Sequence, residues 1–156
     1  MIMTLTEHFT LAEMTVSQAA ARTGTPNIPD SQKVQNLKRL CVELLEPIRE
    51  IVGSPITVTS GYRSPQVNAL VGGSLSSAHL KGFAADINAY RFGSARKLAT
   101  ILVEQLKERG IAFDQLILEF DQWVHIGLFG PAGQQRGHVL TAKKIGSKTH
   151  YLSGIV

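Results

Sequence analysis

The chain has 156 residues, with 16 Lys and Arg against 12 Asp and Glu, and a formal net charge of +4. This length suits a single domain with a buried core and excludes both a short peptide and a two-domain enzyme. A single cysteine, Cys41, excludes an internal disulfide and a cysteine-based zinc site. The sequence has no run of about 18 apolar residues, so it predicts no transmembrane helix. The first residues lack the basic start and the apolar stretch of a Sec signal peptide. Because the basic residues form no dense block, we do not expect nucleic acid as a partner.

The first half of the chain predicts helices. Residues 1–30 are typical of short helical pieces joined by loops. The longest predicted helix runs from Ser31 to Val52, where apolar residues recur at helical spacing. Asp30 or Ser31 can cap its start and Gly53 its end, and Pro47 should kink or divide it.

The second half predicts mainly strands. Four segments are rich in β-branched residues or alternate in polarity: Ile56–Thr59, Phe83–Asn88, Phe113–Phe120 and Trp123–Phe129. The last two are close enough in the sequence to form a hairpin. A short helix should begin at Ser64 and Pro65 and stop at Gly72, and an amphipathic helix should cover Ser94–Arg109.

The order of these elements, helices first and strands later, predicts the fold class. We expect one α+β domain over residues 1–156, with a central antiparallel sheet and helices packed on one side. Residues 1–30 form its N-terminal helical segment. The Gly- and Lys-rich residues 130–156 are expected to form an irregular basic tail, with room for one short strand at Val139–Ala142.

Two residue types that bind metals occur close together in the segment Ser-Ala-His-Leu-Lys-Gly-Phe-Ala-Ala-Asp, residues 77–86. His79 lies in a polar loop and Asp86 on the predicted strand, so a loop followed by a strand is needed to bring them together. His125, in a Trp-Val-His segment, is the third candidate. Two histidines and one carboxylate with an open fourth position suit a catalytic zinc ion. Each residue alone is more typical of an ordinary loop or strand position, so the spacing by itself leaves the metal site open.

The pattern Ser-x-His-x-x-Gly-x-Ala-x-Asp followed by Trp-Val-His resembles the zinc peptidases of the D-alanyl-D-alanine carboxypeptidase type. These belong to a larger group that includes lysostaphin-like enzymes and the hedgehog signalling domain. Four further stretches are similar to the small, often phage-encoded branch: residues 8–13, 44–50, 59–65 and 67–73. The resemblance covers about residues 7–129. It implies a hedgehog- or DD-peptidase-like fold, one Zn²⁺ bound by His79, Asp86 and His125, and a cell-wall peptide as substrate.

The resemblance also implies roles for residues near the metal. Arg63, in the segment Ser-Gly-Tyr-Arg-Ser, is implied to stabilise the oxyanion or to bind a substrate carboxylate. Ser77 is expected either to hydrogen bond to substrate or to a ligand, or to be a plain turn residue. Trp123 should share the face of His125, where it forms a wall of the substrate groove or part of the core. The other histidines are expected to lie outside the site: His8, His138 and His150.

The general base is open between two acids. Several members of the wider group have an acidic residue three positions before the last histidine ligand, but here that position is Gln122, which cannot act as a base. Glu119 and Asp121 are the available acids. Matching the apolar faces of the predicted hairpin places His125 on the side of Glu119, provided that the connection is a three-residue loop or contains a bulge. We therefore expect Glu119 as the base and keep Asp121 as the second candidate.

Together these residues predict a zinc-dependent peptidase acting on peptidoglycan stem peptides, either as a D-Ala-D-Ala carboxypeptidase or as an endolysin that cuts L-Ala-D-Glu. The other hypothesis is a catalytically inactive, zinc-stabilised domain that binds the cell wall or belongs to a virion, which the Gln122 departure favours. We expect a monomer without membrane insertion, made in the cytoplasm and reaching the wall after phage-type release. Its basic charge should favour adsorption to an anionic wall. Imidazole and carboxylate also suit other divalent ions, so zinc is implied by the resemblance.

Overall fold

The computed structural model describes residues 2–130 and 133–156. Its strands are β1 (Thr4–Thr6), β2 (Phe9–Thr10), β3 (Thr57–Ser60), β4 (Ala84–Asn88), β5 (Gln115–Glu119), β6 (Trp123–Gly127), β7 (His138–Ile145) and β8 (Lys148–Ser153). Its helices are α1 (Leu11–Met14), α2 (Gln18–Thr23), α3 (Ser31–Leu40), α4 (Glu46–Val52), α5 (Pro65–Leu70) and α6 (Ala95–Glu108). A π-helical segment, Cys41–Leu45, joins α3 to α4, and a 3-10 turn, Ala78–Lys81, precedes β4. Within these described ranges, no helix combines the length and the apolar character needed to cross a membrane.

Strands β3 to β8 form one mixed sheet in the order β3-β4-β6-β5-β7-β8, and the predicted α+β class is confirmed. Neighbouring strands are antiparallel, as predicted, except for β5 and β7, which are parallel. The connection from β6 to β7 explains the exception. Gln115 of β5 is level both with the end of β6 at Gly127 and with the start of β7 at His138. The chain therefore crosses the start of β5 and re-enters the sheet antiparallel to β6.

The alternation of side chains along β5 and β6 gives the sheet two different faces. One face carries Leu116, Leu118, Val124 and Ile126, all fully buried in the core that α3, α4 and α6 complete. Each such burial contributes about 1.5–3 kcal/mol, which fixes the register of the hairpin. The helices therefore cover this face, and the intervening side chains of β5 and β6 are left on the opposite face.

The predicted helix over residues 31–52 is one continuous helical stretch with an interruption. Asp30 caps its start by accepting a hydrogen bond from the Lys33 amide at 2.9 Å, and Gly53 ends it in the left-handed conformation with φ of 66°. The interruption expected at Pro47 takes the form of the π-helical turn just before it, in which the Glu46 amide donates to the carbonyl of Cys41. Proline has no amide donor, and the wider turn accommodates that loss without breaking the helix.

The prediction of an irregular tail over residues 130–156 is wrong for most of that segment. It forms β7 and β8, which extend the sheet beyond β5. Thr141, 1% exposed, donates a hydrogen bond to the Gly154 carbonyl at 2.7 Å and accepts one from the Val156 amide at 3.1 Å. A Gly- and Lys-rich composition is typical of loops, but lysines are also common on the edge strands of sheets, where they prevent pairing with other chains. Composition alone does not distinguish these two cases. Within the predicted domain of 1–156, Met1, Pro131 and Ala132 lie outside the described residues.

Asp114, at the entry to β5, fastens the connection between β6 and β7. Its carboxylate is 6% exposed and accepts hydrogen bonds from Nε of Arg136 at 2.9 Å and from Nη2 at 2.7 Å. The hydrogen bonds from the Arg136 side chain hold the pKa of Asp114 below its usual value, against the opposing effect of burial. This ion pair fixes the crossing that makes β7 parallel to β5.

Asp114→Asn should lower the free energy of unfolding by about 2 kcal/mol at neutral pH, because it removes charge-assisted hydrogen bonds from Arg136. A carboxylate with a lowered native pKa contributes stability above its unfolded pKa and loses that contribution as the pH falls through its native pKa. The difference between wild type and variant should therefore shrink at acidic pH. Urea unfolding of both proteins over a pH series measures it, and a difference independent of pH would contradict the role of the charge.

Candidate metal centre

Three elements bring His79, Asp86 and His125 together. His79 lies on the 3-10 turn, Asp86 in the middle of β4 and His125 in the middle of β6. Asp86 and His125 are direct partners in the antiparallel register of β4 and β6, so their side chains project from the same face. One ligand atom from each of the three residues lies within 4.8 Å of the others, and all three residues are buried.

The distances within this cluster fit a tetrahedral metal site. Oδ1 of Asp86 lies 3.3 Å from Nε2 of His79 and 3.1 Å from Nδ1 of His125. Zinc binds nitrogen and oxygen ligands at about 2.0–2.1 Å, and tetrahedral ligands at that distance are roughly 3.3 Å apart. The three donor atoms therefore have the chemistry and the separation for one metal ion.

A backbone carbonyl orients His79. Nδ1 of His79 lies 2.7 Å from the carbonyl oxygen of Gly61, to which it donates when Nε2 carries the lone pair that faces Asp86. Gly61 can hold this position because it has no side chain: a Cβ there would collide with the backbone of Met14. The close approach between the end of β3 and α1 thus sets the tautomer of His79, a candidate metal ligand.

The second oxygen of Asp86 is held by Arg63. Nη2 of Arg63 lies 3.4 Å from Oδ2 of Asp86, while Nε donates to Ser60 at 3.1 Å and Nη1 to Asn68 at 3.4 Å. Asn68, 2% exposed, also donates to the Ser74 carbonyl at 3.0 Å and so ties the guanidinium to the loop before His79. Arg63 fixes the carboxylate from outside, as supporting contacts of metal ligands do.

Sequence reasoning gave no role to Ser60, Gly61 or Asn68. The available signals were a glycine between a strand and Tyr62 and a polar residue in the short helix α5. Neither signal identifies its partner. Gly61 contacts His79, 18 residues away in the sequence, and the short separations of Ser60 and Asn68 from Arg63 do not by themselves indicate hydrogen bonds to it.

The pKa values in the cluster reflect burial and mutual charge. Burial lowers the pKa of His79, and Asp86 only partly offsets it. Burial also disfavours the charged forms of Asp86 and His125, but the attraction between these groups outweighs the effect of burial. His79 and His125 hold the pKa of Asp86 well below its usual range, and Asp86 raises the pKa of His125. The negative charge of the buried Asp86 thus favours a positive charge beside it, which a metal cation would supply.

Glu119, at the end of β5, faces the cluster as hairpin parity predicts. The connection from β5 to β6 is a three-residue loop, so Glu119 pairs with Trp123 and Ile117 with His125. Oε1 of Glu119 lies 4.0 Å from Nδ1 of His125. Burial and the charge of Asp86 raise the pKa of Glu119.

Asp121, the second candidate for the base, does not lie at the cluster. Its carboxylate is 56% exposed and is bound by Arg96 of α6, with Nε 2.8 Å from Oδ1 and Nη2 3.0 Å from Oδ2. The structure therefore contradicts the proximity that a base role for Asp121 requires. The physical reason is the tight loop, which directs Asp121 toward the side of the sheet that carries α6.

The cluster opens into a cleft of about 1070 Å³ that Arg63, Ser77, Glu119 and Trp123 help to line. The hydroxyl of Ser77 accepts a hydrogen bond from the His79 amide at 3.3 Å, so it caps the 3-10 turn that carries the ligand. The Trp123 ring packs edge-on against Phe120, with 5.7 Å between ring centroids. Among the residues that the structure describes, the remaining histidines belong to no cluster of three or more metal-binding side chains: His8, His138 and His150.

A site with two imidazoles, one carboxylate and a neighbouring acid, open to a cleft on one side, has the chemistry of a metal-dependent hydrolase. The comparison with protein families gives the particular class: Peptidase M15 matches residues 7–127, and the chain belongs to this family of zinc-dependent peptidases. A comparison with curated protein sequences found no match. The matched range contains the three candidate ligands, Arg63 and Glu119, whereas β7 and β8 lie outside it.

His125→Ala should lower the affinity for Zn²⁺ more than about 100-fold, because loss of a direct ligand costs more than loss of a supporting contact. Competition between the metal-free protein and a chromophoric chelator measures the affinity. His150→Ala is the matched control, since His150 pairs with Lys143 on β7 and β8, away from the cluster, and should bind Zn²⁺ like wild type. Unchanged affinity in His125→Ala would remove His125 from the ligand set.

Proposed function

We propose that the chain is a zinc-dependent peptidase that hydrolyses peptidoglycan stem peptides, with one Zn²⁺ held by His79, Asp86 and His125. The observation that carries the proposal is the position of Glu119, whose carboxylate faces the same cleft as the ligands, 4.0 Å from His125. The cleft thus contains three candidate metal ligands and, beside them, an acid within reach of a metal-bound water. Membership of the Peptidase M15 family supports the peptidase activity, and the likeness of residues 7–129 to D-alanyl-D-alanine carboxypeptidases supports the wall peptide as substrate.

Glu119 is the residue that moves the proton. When bound, zinc supplies Lewis acidity that polarises the scissile carbonyl and makes an attacking water more acidic. Glu119 takes the proton from the water and delivers it to the leaving nitrogen. Its raised pKa favours this exchange, because a carboxyl whose pKa lies closer to the working pH both accepts and releases a proton.

Arg63 is the residue that binds negative charge on the substrate. A guanidinium has five N–H donors, and Ser60, Asn68 and Asp86 engage one each, so two remain for a ligand in the cleft. These donors stabilise the oxyanion of the transition state or bind a carboxylate of the peptide. Because Asn68 and Ser60 hold the guanidinium in place, it is oriented before substrate arrives.

The bond cut is either D-Ala-D-Ala or L-Ala-D-Glu, and the place of action is the bacterial wall, reached after synthesis in the cytoplasm and phage-type release. The net charge of +4 supports adsorption to an anionic wall. Purified protein incubated with peptidoglycan sacculi should release new amino termini, and a zinc chelator should abolish the release. Mass spectrometry of the products identifies the bond. Zinc-loaded protein that binds sacculi without releasing any peptide would favour the inactive wall-binding domain instead.

Glu119→Gln should keep its zinc but lose about 100- to 10,000-fold in kcat, because the amide cannot take a proton from water. Asp121→Asn is the matched control: it makes the same chemical change two residues away, at a carboxylate bound by Arg96, and should retain kcat. Zinc content and turnover of stem peptides are measured on the same preparations. Full turnover in Glu119→Gln would exclude it as the base.

A further inference from the structure

The hairpin of β7 and β8 lies beyond the residues that match Peptidase M15, yet it forms part of the cleft. Residue 127 ends the match, and β7 begins at His138. Because β7 pairs with β5, the hairpin continues the sheet directly beyond Glu119. Three of its side chains line the same cleft as the metal cluster: Lys144, Thr149 and Tyr151.

The register of the hairpin shows which of its side chains face the cluster. Glu119 is level with Ala142, and Ala142 with Tyr151, so these residues project from one face of the sheet. Lys144 and Thr149 are partners two positions further along and share that face. Lys143, by contrast, projects toward the opposite face.

Lys144 is a cation without a carboxylate partner. Arg63 and Arg136, which also line the cleft, are paired with Asp86 and Asp114. Lys144 forms no ion pair within residues 2–130 and 133–156, and neither does Lys81, which lines the cleft two residues after His79 and outside the hairpin. Its ammonium lies 5.7 Å from the centroid of the Phe120 ring. An exposed ammonium on the same sheet face as two hydroxyl groups, those of Thr149 and Tyr151, has the chemistry to bind a carboxylate.

Tyr151 connects this group to the reaction centre. Tyr151 is level with Ala142, which is level with Glu119, and both Tyr151 and Glu119 line the cleft. Burial and the nearby charge of Glu119 raise the pKa of Tyr151. The register and the shared cleft therefore place Glu119, Tyr151 and Lys144 on one face of the sheet.

The hairpin is held firmly enough to act as a binding wall. The Phe120 amide donates to the carbonyl of Ala142 at 3.0 Å, and the Gly154 amide donates to that of Val139 at 2.8 Å. Thr141 is buried and bonded through its hydroxyl at the base of β7. Side chains on such a fixed strand present a ligand with a defined position rather than a mobile charge.

The distance from the metal cluster sets which part of a peptide Lys144 can reach. β6 and β7 are two strand spacings apart, roughly 10 Å, and Lys144 lies four residues beyond Leu140, which is level with His125. The distance across the strands and the distance along β7 combine to roughly 16 Å between the backbones of His125 and Lys144. The lysine side chain spans part of this distance. An extended peptide covers about 3.3–3.6 Å per residue, so the ammonium meets a group three or four residues from the scissile bond.

We propose that Lys144, with Thr149 and Tyr151, forms a subsite that binds a carboxylate of the substrate peptide three or four residues from the bond that is cut. This inference rests on the proposed function, because the scissile bond is placed at the metal cluster. A stem pentapeptide has two carboxylates at suitable distances. The carboxylate of its D-Glu suits cleavage at D-Ala-D-Ala, and its C-terminal carboxylate suits cleavage at L-Ala-D-Glu.

Binding to the zinc-loaded Glu119→Gln protein tests the subsite without turnover. The probe is the pentapeptide L-Ala-γ-D-Glu-L-Lys-D-Ala-D-Ala, together with two forms in which either the D-Glu or the C-terminal carboxylate is amidated. Trp123, the only tryptophan, lines the cleft and reports occupancy by its fluorescence. Lys144→Ala should weaken binding of the free acid about tenfold, which corresponds to loss of one charge-assisted contact. Lys143→Ala, with the same charge change on the opposite face, should bind like the parent.

Amidation identifies the carboxylate. One of the two amides should bind the parent about tenfold more weakly than the acid does and should show no further loss in Lys144→Ala. The subsite would be overturned if Lys144→Ala and Lys143→Ala bound the free acid with equal affinity. It would also be overturned if Lys144→Ala weakened the binding of both amides as much as that of the acid. Failure of the wild-type enzyme to cleave sacculi would instead overturn the proposed function, since the binding assay does not depend on turnover.

Discussion

The rest of the site depends on one buried carboxylate. Asp86 is 5% exposed, and a charge at such depth is tolerated only when partners compensate its lost hydration. His79 and His125 contact one of its oxygens and Arg63 the other. These partners come from the 3-10 turn, from β6 and from the loop after β3. Compensating one charge therefore brings together segments that are far apart in the sequence, and it gathers His79, Asp86 and His125 into a cluster suited to a metal cation.

Alternate residues of β5 serve the hydrophobic core and the cleft. Leu116 and Leu118 are buried against the helices, and the residues between and beside them, Ile117 and Glu119, face the cleft. A slip of one residue would exchange the two sets, so the burial that stabilises the fold also holds the chemical groups on the cleft side. The hydrophobic core thus determines the register, and the register determines the position of Glu119 relative to His125.

Local sequence signals predicted the parts of the fold that depend on neighbouring residues. Asp30 as a cap and the interruption near Pro47 each follow from a few adjacent residues. The three-residue hairpin loop is one of the two alternatives that matching the apolar faces of the hairpin left open. Two features were not predictable in this way: the parallel pairing of β7 with β5, and the support of His79 by Gly61. The first depends on how a connection crosses β5, and the second on a backbone carbonyl 18 residues away in the sequence. Long-range contacts of this kind leave no periodicity to detect.

The loop between β5 and β6 contains Gln122 and sets the position of Glu119. Phe120 and Asp121 both adopt the left-handed conformation, with φ of 55° and 57°, which costs roughly 1–3 kcal/mol for each residue that is not glycine. The loop also has contacts on both sides: Arg96 binds the exposed Asp121 carboxylate, and the Phe120 amide donates to the carbonyl of Ala142. The strained loop keeps Glu119 level with Trp123 and on the face of His125. An acid three residues before His125 would lie within the loop itself, whereas the carboxylate that lies near His125 in this chain is that of Glu119, at the end of the strand before the loop.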